Sequence, residues 1–201
     1  MFRTDPGPNR AQLGFAEEVL SAFNFLTKEY GFRLVKAEPT FVRYESPHVF
    51  VNVYHGRASY ELGFEIGRLI DAAGQGEHPF SLAMVIELMG AQKETGYTLL
   101  QASSSESVKK QVPKLADLVK KYAAPALEGD SGTFKLLAET RSRMSDKLHK
   151  DMKLRDAREE ADKAWRGKDY SKLASLYESI SEDLTAAESK KLDYAKKQLP
   201  R

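Results

Sequence analysis

Apolar residues recur at intervals of three or four near the start of the chain. These residues share one side of a helical projection: Leu13, Ala16, Leu20, Phe23 and Tyr30. Gly31 follows at the position of a C-terminal cap, and Asn9 precedes the pattern as an N-terminal cap. The spacing predicts one amphipathic helix over residues 10–30, with an apolar side that needs a surface to cover.

The hydrophobic period changes to two after Gly31, which is typical of β-strands. Four segments carry strand-like patterns: 32–37, 40–46, 48–54 and 59–67. In the last of them the apolar side chains share one side, and Glu61, Gly63, Glu65 and Gly67 share the other. The segments predict an antiparallel β-meander with one solvated face, and we expect the first helix to pack on its apolar face.

Helical periodicity returns after residue 80. Ser81 is expected to cap a short helix that runs through Leu88. Ser103 and Glu106 have the spacing of a capping box, which predicts the start of a second helix. Pro113 lies within that second helix and lacks a backbone donor, so we expect a late helix start or a kink there.

From Ser131 the pattern is helical almost to the end of the sequence. Few apolar residues anchor the charged stretch 150–162, so the pattern leaves open whether residues 131–165 form one helix or bend. Thr185 and Glu188 have a second capping-box spacing, which predicts a last helix.

Together these elements predict an α+β fold, in which an antiparallel β-meander packs with helices and an all-α part follows. We place an α+β domain at residues 1–128 and a helical domain at residues 129–201. The distribution of charge supports two parts. Residues 131–201 carry 17 basic and 13 acidic side chains, although the whole chain is nearly balanced at 31 and 29.

Composition narrows the chemistry that the chain could perform. It has 201 residues and no cysteine, which excludes a disulfide framework, thiolate metal ligands and a cysteine nucleophile. The first ten residues are polar, and no segment approaches the roughly 20 apolar residues of a membrane span. A net charge of +2 is too small to indicate a nucleic-acid partner. We expect a cytoplasmic protein without a membrane partner.

Three local patterns suggest catalytic or metal chemistry, and each has a simpler structural explanation. Segment 129–132, Gly-Asp-Ser-Gly, matches the residues around the nucleophile of trypsin-like serine proteases, yet Asp130 or Ser131 as a helix cap accounts for it. Glu61 and Glu65 would stand roughly 13 Å apart on a strand, beyond the about 5–9.5 Å between paired glycosidase carboxylates. The four histidines lack metal-ligand spacing. We predict no catalytic residue, no cofactor and no metal site.

Aromatic residues are frequent in the meander and occur at both strand parities: Phe41, Tyr44, Phe50, Tyr54, Tyr60 and Phe64. One covered face cannot hide them all, so exposed rings would mark a binding surface unless helices cover both faces. Glu61 and Glu65 are expected to pair across strands with Arg43 or Arg57. We predict a partner-binding face formed by six residues: Phe41, Arg43, Phe50, Tyr54, Glu61 and Glu65. On this hypothesis, replacing exposed Phe41 or Phe50 with alanine weakens partner capture while the fold survives.

The last quarter of the chain resembles the middle of a tetratricopeptide repeat. The resemblance is carried by Ala161, Ala164 and Trp165 before Gly167, and by an aromatic residue, Tyr170, that starts the next helix. A second complete repeat is absent from the sequence, and a solenoid needs at least about three. The resemblance therefore implies a packed helical hairpin without the peptide-binding groove of the family.

The opening of the chain resembles small immunity-type proteins that are found beside bacterial polymorphic toxins. Three segments carry the resemblance: 30–35 (YGFRLV), 42–46 (VRYES) and 60–66 (YELGFEI). It covers at most the first hundred or so residues and transfers no functional residue. It implies a non-enzymatic inhibitor that covers the active site of a toxin.

We therefore predict a non-catalytic protein-interaction protein of bacterial origin, with toxin neutralisation as a specific form of that role. One alternative is an enzyme or small-molecule binder with a pocket between the sheet and the helices. Another is an RNA binder that uses basic residues near the C-terminus: Lys190, Lys191, Lys196 and Lys197. The sequence leaves the oligomeric state and the identity of the partner open.

Overall fold

A computed structural model describes residues 10–56, 59–69 and 78–199 of the chain. The chain forms two compact units, Met1–Arg141 and Ser142–Arg201. The first contains an antiparallel sheet with helices and the second is helical, which confirms the predicted α+β class. The sequence placed its domain boundary between residues 128 and 129, whereas the units divide between Arg141 and Ser142.

Six strands of the described chain form one antiparallel sheet: β1 (Arg33–Glu38), β2 (Phe41–Glu45), β3 (Val49–His55), β4 (Glu61–Arg68), β5 (Phe80–Ser81) and β6 (Leu100–Gln101). The first four follow one another as the predicted meander. The last two both pair with β4, β5 beside Glu65 and Ile66 and β6 beside Glu61 and Leu62. These two strands have two residues each, too few to show a period in the sequence.

The single helix predicted over residues 10–30 is wrong, because the chain forms three shorter elements there: a 3-10 turn (Arg10–Leu13), α1 (Phe15–Ala22) and α2 (Asn24–Tyr30). The break is at Phe23, whose φ of −95° and ψ of 13° lie outside the helical region. Residues two apart point to different sides of a continuous helix. The break lets the rings of Phe23 and Phe25 stack together at 5.8 Å, and both are buried. Gly31 caps α2 in the left-handed conformation, as predicted.

The core of the first unit lies between one face of the sheet and its helices. Phe15 and Val19 of α1 join Val51 of β3 and Phe64 of β4 in one buried cluster. This arrangement confirms that the first helical segment packs on the apolar face of the meander. Each of these four side chains is at most 1% exposed, so the hydrophobic effect ties the helix to the middle of the sheet.

Four more helices of the first unit follow the first four strands in the chain: α3 (Leu82–Leu88), α4 (Gln92–Thr95), α5 (Ser105–Tyr122) and α6 (Ala124–Leu127). Ser81 caps α3 as predicted, since its side chain accepts a hydrogen bond from the N–H of Met84. The capping box of α5 is formed by Ser104 and Ser107, one residue later than predicted. Its two hydroxyls replace the expected Ser–Glu pair. The helix passes through Pro113 without a late start.

Residues 131–165, for which the sequence left open one helix or a bend, lie in one continuous helix, α7 (Ser131–Arg166). Its start is capped by Asp130, whose carboxylate accepts hydrogen bonds from the N–H and the hydroxyl of Thr133, both at 2.7 Å. Phe134 and Leu137 are buried in the core of the first unit. That burial explains why the first unit extends to Arg141 instead of ending at residue 128.

The second unit has its own apolar core. It contains the end of α7, α8 (Tyr170–Glu178) and α9 (Ala186–Gln198), and its buried residues include Ala161, Leu173, Tyr177 and Ala195. Thr185 and Glu188 form the predicted capping box at the start of α9. A helix–turn–helix thus lies at the position of the tetratricopeptide-like segment, while the resemblance to that family stays a prediction.

Candidate functional site

The six residues of the predicted partner-binding face all lie on the same side of the sheet. Strand register places Phe41 beside Tyr54 and Arg43 beside Asn52, and it continues from Asn52 to Glu65. We call this surface the polar face and define it by the side chains of β2, β3 and β4 that point away from the helices: Phe41, Arg43, Glu45, Phe50, Asn52, Tyr54, Glu61, Gly63, Glu65 and Gly67. None of these residues belongs to the hydrophobic core that the helices share with the opposite face.

A chain of polar contacts crosses the polar face from β2 to β4. The Nε of Arg43 donates to Glu45 Oε1 at 2.8 Å, and its guanidinium also donates to Asn52 Oδ1 at 3.2 Å. Asn52 in turn donates to Glu65 Oε2 at 3.4 Å. From the edge strand, Arg33 lies 3.6 Å from Glu45. Each side chain is thus held in one orientation before any partner arrives, which reduces the entropy lost on binding.

Two aromatic rings of β3 cover glycines on the neighbouring strand β4. Phe50 lies opposite Gly67 and Tyr54 lies opposite Gly63 in the strand register. A Cβ at Gly67 would come 2.6 Å from Phe50 Cζ, and one at Gly63 would come 2.0 Å from Tyr54 Cζ. The rings occupy the volume that a side chain would fill, so these positions require glycine.

The exposure predicted for the aromatic residues is wrong for Phe50, which is only 8% exposed. Its ring is enclosed by Gly67 below and by the guanidinium of Arg43, whose Cζ lies 4.2 Å from the ring centroid. Phe41 and Tyr54 are half-buried. The sequence does not reveal the burial of Phe50, because the groups that enclose its ring, Gly67 and Arg43, belong to the polar face itself.

The β4 side of the polar face is acidic. Glu61 and Glu65 flank Gly63 on the same strand, with the Tyr54 ring between them. Burial raises the pKa of the Tyr54 hydroxyl, and the negative charges of Glu65 and Glu61 raise it further. Burial likewise raises the pKa of Tyr97 to about 12, with contributions from Glu61 and Tyr54. The negative charges of Glu61 and Glu65 therefore contribute to the electrostatic environment of the Tyr54 hydroxyl.

Neither glutamate pairs with Arg43, contrary to the sequence prediction. Arg43 forms its ion pair with Glu45 on its own strand. The ion pairs between described residues include neither Glu61 nor Glu65. The other expected partner, Arg57, lies outside the residues that the structure describes. Asn52 and Tyr97 were not predicted from the sequence, because their roles depend on strand register and on a loop that returns to the sheet.

The histidines do not form a site in the described part of the chain. His48, His78 and His149 are exposed, and no group of three metal-ligating side chains occurs among the described residues. His55 is buried on the core side of β3, where its Nε2 bonds to the carbonyl of Ala102 at 2.7 Å. Burial lowers the pKa of its imidazole. Its ring stacks on the ring of Phe15 within the packed core.

A groove of about 460 Å³ lies beside the sheet, between the segment 94–100 and helix α5. Tyr97, Leu118 and Tyr122 contribute apolar surface to it. An ion pair between Lys121 Nζ and Glu94 Oε1 at 2.6 Å lies at the groove. The volume falls within the range of small-molecule sites, about 300–1,000 Å³.

Comparison with known proteins adds no relative to these structural observations. No family model matches the chain, and no curated protein and no solved structure is similar to it. Among the described residues, none of the helices combines the length and the apolar character needed to cross a bilayer.

Proposed function

We propose that the chain is a non-catalytic protein that binds a folded protein partner on the polar face of its sheet. The observation that carries this proposal is the convergence of six side chains from three strands on one ordered surface. Aromatic and arginine side chains are enriched at protein interfaces and supply much of their binding energy. Here both kinds are present, and they are already held in place by neighbouring groups.

The chemistry of the polar face favours binding over catalysis. Arg43 is hydrogen-bonded to Glu45 and Asn52, and Glu65 shares a hydrogen bond with Asn52, so these groups serve to order the surface. A hydroxyl or thiol nucleophile needs a base within hydrogen-bonding distance, and the ten residues that define the polar face include no serine, threonine, cysteine or histidine. A rigid, mixed surface of this kind suits recognition of a complementary protein.

Inhibition of a bacterial toxin is the specific form of this proposal. The resemblance of segments 30–35, 42–46 and 60–66 to immunity-type proteins supports it, and two of these segments include strands of the polar face. Such an inhibitor would act in the cytoplasm by covering the active site of the toxin.

The experiment is affinity capture of the tagged full-length chain from its native cells, followed by mass spectrometry. We compare the wild type with Tyr54→Ala and Phe41→Ala on the polar face and with Tyr194→Ala, a matched aromatic control that is 46% exposed in the second unit. We expect one stoichiometric protein that is retained by the wild type and the control and lost or strongly reduced with both face variants. Equal retention by all four proteins would remove the polar face from the proposal.

Small-molecule binding is a second candidate, favoured by the groove beside α5. The groove has the volume of a ligand site and two tyrosines, Tyr97 and Tyr122, that could stack on a ring. A thermal-shift screen against metabolites tests it. A ligand that stabilises the wild type but not Leu118→Asp would assign binding to the groove, while an empty screen leaves protein binding alone.

A further inference from the structure

Three aromatic rings lie on the polar face, and two of them carry a cation from the same chain. Lys36 Nζ lies 5.6 Å from the ring centroid of Phe41, and the guanidinium of Arg43 lies 4.2 Å from that of Phe50. A cation over an aromatic face is attracted by the negative potential of the ring. The fold therefore uses these rings as supports for positive charge.

The Phe50 ring shows how such a support is built. The ring lies over Gly67, the Arg43 guanidinium lies over the ring, and the Glu45 carboxylate accepts from Arg43 Nε at 2.8 Å. We call this arrangement the Phe50 platform. Glycine lets the ring lie close to the sheet, the ring receives the flat cation, and the carboxylate fixes its charge and orientation.

The Tyr54 ring repeats the ring-over-glycine part of this arrangement on the same two strands, β3 and β4. It lies over Gly63, directly opposite in the register, and Glu61 and Glu65 flank that glycine. We call this arrangement the Tyr54 platform. It offers two carboxylates where the Phe50 platform has one, and its ring is half-buried instead of covered. No cation of the described residues lies over the Tyr54 ring.

We propose that the Tyr54 platform binds an arginine side chain of the protein partner, with the guanidinium on the Tyr54 ring and its N–H groups directed to Glu61 and Glu65. Arginine fits better than lysine because its flat guanidinium can stack on the ring and still donate sideways to carboxylates. The Arg43 side chain on the Phe50 platform shows this mode within the same sheet. The inference rests on the proposed function and names the chemistry that the partner must present.

The electrostatics of the platform fit a cationic occupant. Burial raises the pKa of the Tyr54 hydroxyl most, and the negative charges of Glu65 and Glu61 on the same strand raise it further. The same negative charge attracts a guanidinium placed there. Half-burial of the site makes each charge pair stronger than a fully solvated one, since less water screens it.

The test uses N-acetyl-arginine amide as the probe and N-acetyl-citrulline amide as its uncharged isostere. Chemical shifts of the full-length protein, labelled at tyrosine and glutamate, are followed by NMR during each titration. We expect saturable millimolar binding of the arginine probe, with shifts centred on Tyr54, Glu61 and Glu65. The citrulline probe should bind at least about tenfold more weakly, because it lacks the charge.

Variants separate the platform from general attraction to acidic surface. Glu65→Gln keeps the shape of the side chain and should weaken the arginine probe roughly fivefold to tenfold. Glu38→Gln removes an exposed carboxylate from β1 of the same sheet and should leave binding unchanged. Equal binding of both probes, or equal effects of the two substitutions, would overturn the proposal.

One rival occupant belongs to the chain itself. Arg57 stands in the connection between β3 and β4, outside the described residues. Binding of the probe to Arg57→Ala but not to the wild type would show that the chain fills its own platform, and the proposal would fall.

Because the probe assay needs no partner, its failure is distinct from failure of the proposed function. Loss of partner capture by Phe41→Ala alongside a negative probe titration would keep the polar face and reject only the arginine.

Discussion

At the scale of single residues, the aromatic rings and the glycines of the polar face depend on each other. Tyr54 covers Gly63, and Phe50 covers Gly67. Either ring would lose its place if the glycine carried a side chain, because a Cβ would overlap it. The pairs therefore fix the orientation of two rings without help from the helices on the opposite face.

Replacement of Gly63 by alanine tests this dependence. Its Cβ would come 2.0 Å from Tyr54 Cζ, so the ring must move, and we expect a loss of about 1–3 kcal/mol in the free energy of unfolding. In a Tyr54→Ala background the same substitution should cost less than about half as much. Urea unfolding of the four proteins of this double-mutant cycle supplies the measurement. Equal costs in both backgrounds would show that the ring does not occupy the space.

His55 makes the stability of the first unit depend on pH. Its imidazole is 2% exposed and lies beside Arg10, and burial lowers its pKa below the usual 6.5. The unfolded chain takes up a proton as the pH falls through about 6.5, whereas the folded chain does so only at lower pH. The free energy of unfolding should therefore decrease from about pH 6.5 downwards and level off once the folded protein is also protonated.

Urea unfolding of the wild type and of His55→Gln across this range measures the effect. The variant cannot titrate at residue 55, so the part of the slope that belongs to His55 should disappear. NMR of the ring protons gives the folded pKa directly. A folded pKa at or above 6.5 would show that burial does not lower the pKa of the His55 imidazole.

Residue patterns in the sequence located most of the candidate site but not its contacts. Strand alternation placed Glu61 and Glu65 on one side of their strand because side-chain direction within a strand depends only on position parity. Contact between Tyr54 and Gly63 depends on strand register, and the sequence does not specify register by itself. The pairing of Arg43 with Glu45, and not with the glutamates of β4, likewise required the three-dimensional arrangement.

At the scale of secondary-structure elements, local signals predicted the helix ends better than the helix interiors. Gly31 and the Thr185–Glu188 box were found where expected, because caps are made by residues adjacent in the chain. The break at Phe23 has no glycine or proline to mark it. It arises because the rings of Phe23 and Phe25 are both buried in the core, a tertiary effect that helical periodicity does not contain.

The start of α9 has a capping box that also serves the packing of the second unit. Glu188 accepts from the N–H of Thr185 at 2.7 Å and from Arg158 Nε of α7 at 2.8 Å. Arg158 additionally donates to the carbonyl of Asp183 at 2.8 Å. Burial opposes ionisation of Glu188, but these hydrogen bonds outweigh it and lower its pKa.

Substitution of Glu188 by alanine should therefore destabilise the second unit by roughly 1–2 kcal/mol, since it removes part of the cap and leaves Arg158 without its carboxylate. Glu178→Ala is the matched control. Its carboxylate pairs with Lys196 at 2.8 Å, but both side chains are about half exposed, so the change should stay within about 0.5 kcal/mol. Thermal unfolding followed by far-UV circular dichroism compares them. Equal losses would show that the box adds nothing beyond an exposed ion pair.

At the scale of the whole molecule, the first unit uses the two faces of one sheet for different purposes. One face joins α1 and α5 in a hydrophobic core that contains Val51 and Phe64. The other carries ordered charges and rings that take no part in that core. The second unit has its own core, described above. We therefore propose that partner binding belongs to the first unit and, within it, to the polar face.

The measurement that tests this assignment most directly is carboxylate labelling of the intact complex with its captured partner. Glu61 and Glu65 report on the polar face, while the exposed Glu17 of α1 and Glu106 of α5 report on the helices. We expect both polar-face carboxylates to label several-fold more slowly in the complex than in the unbound chain, with Glu17 and Glu106 unchanged. Unchanged labelling of Glu61 and Glu65, together with protection at the helices, would contradict the account.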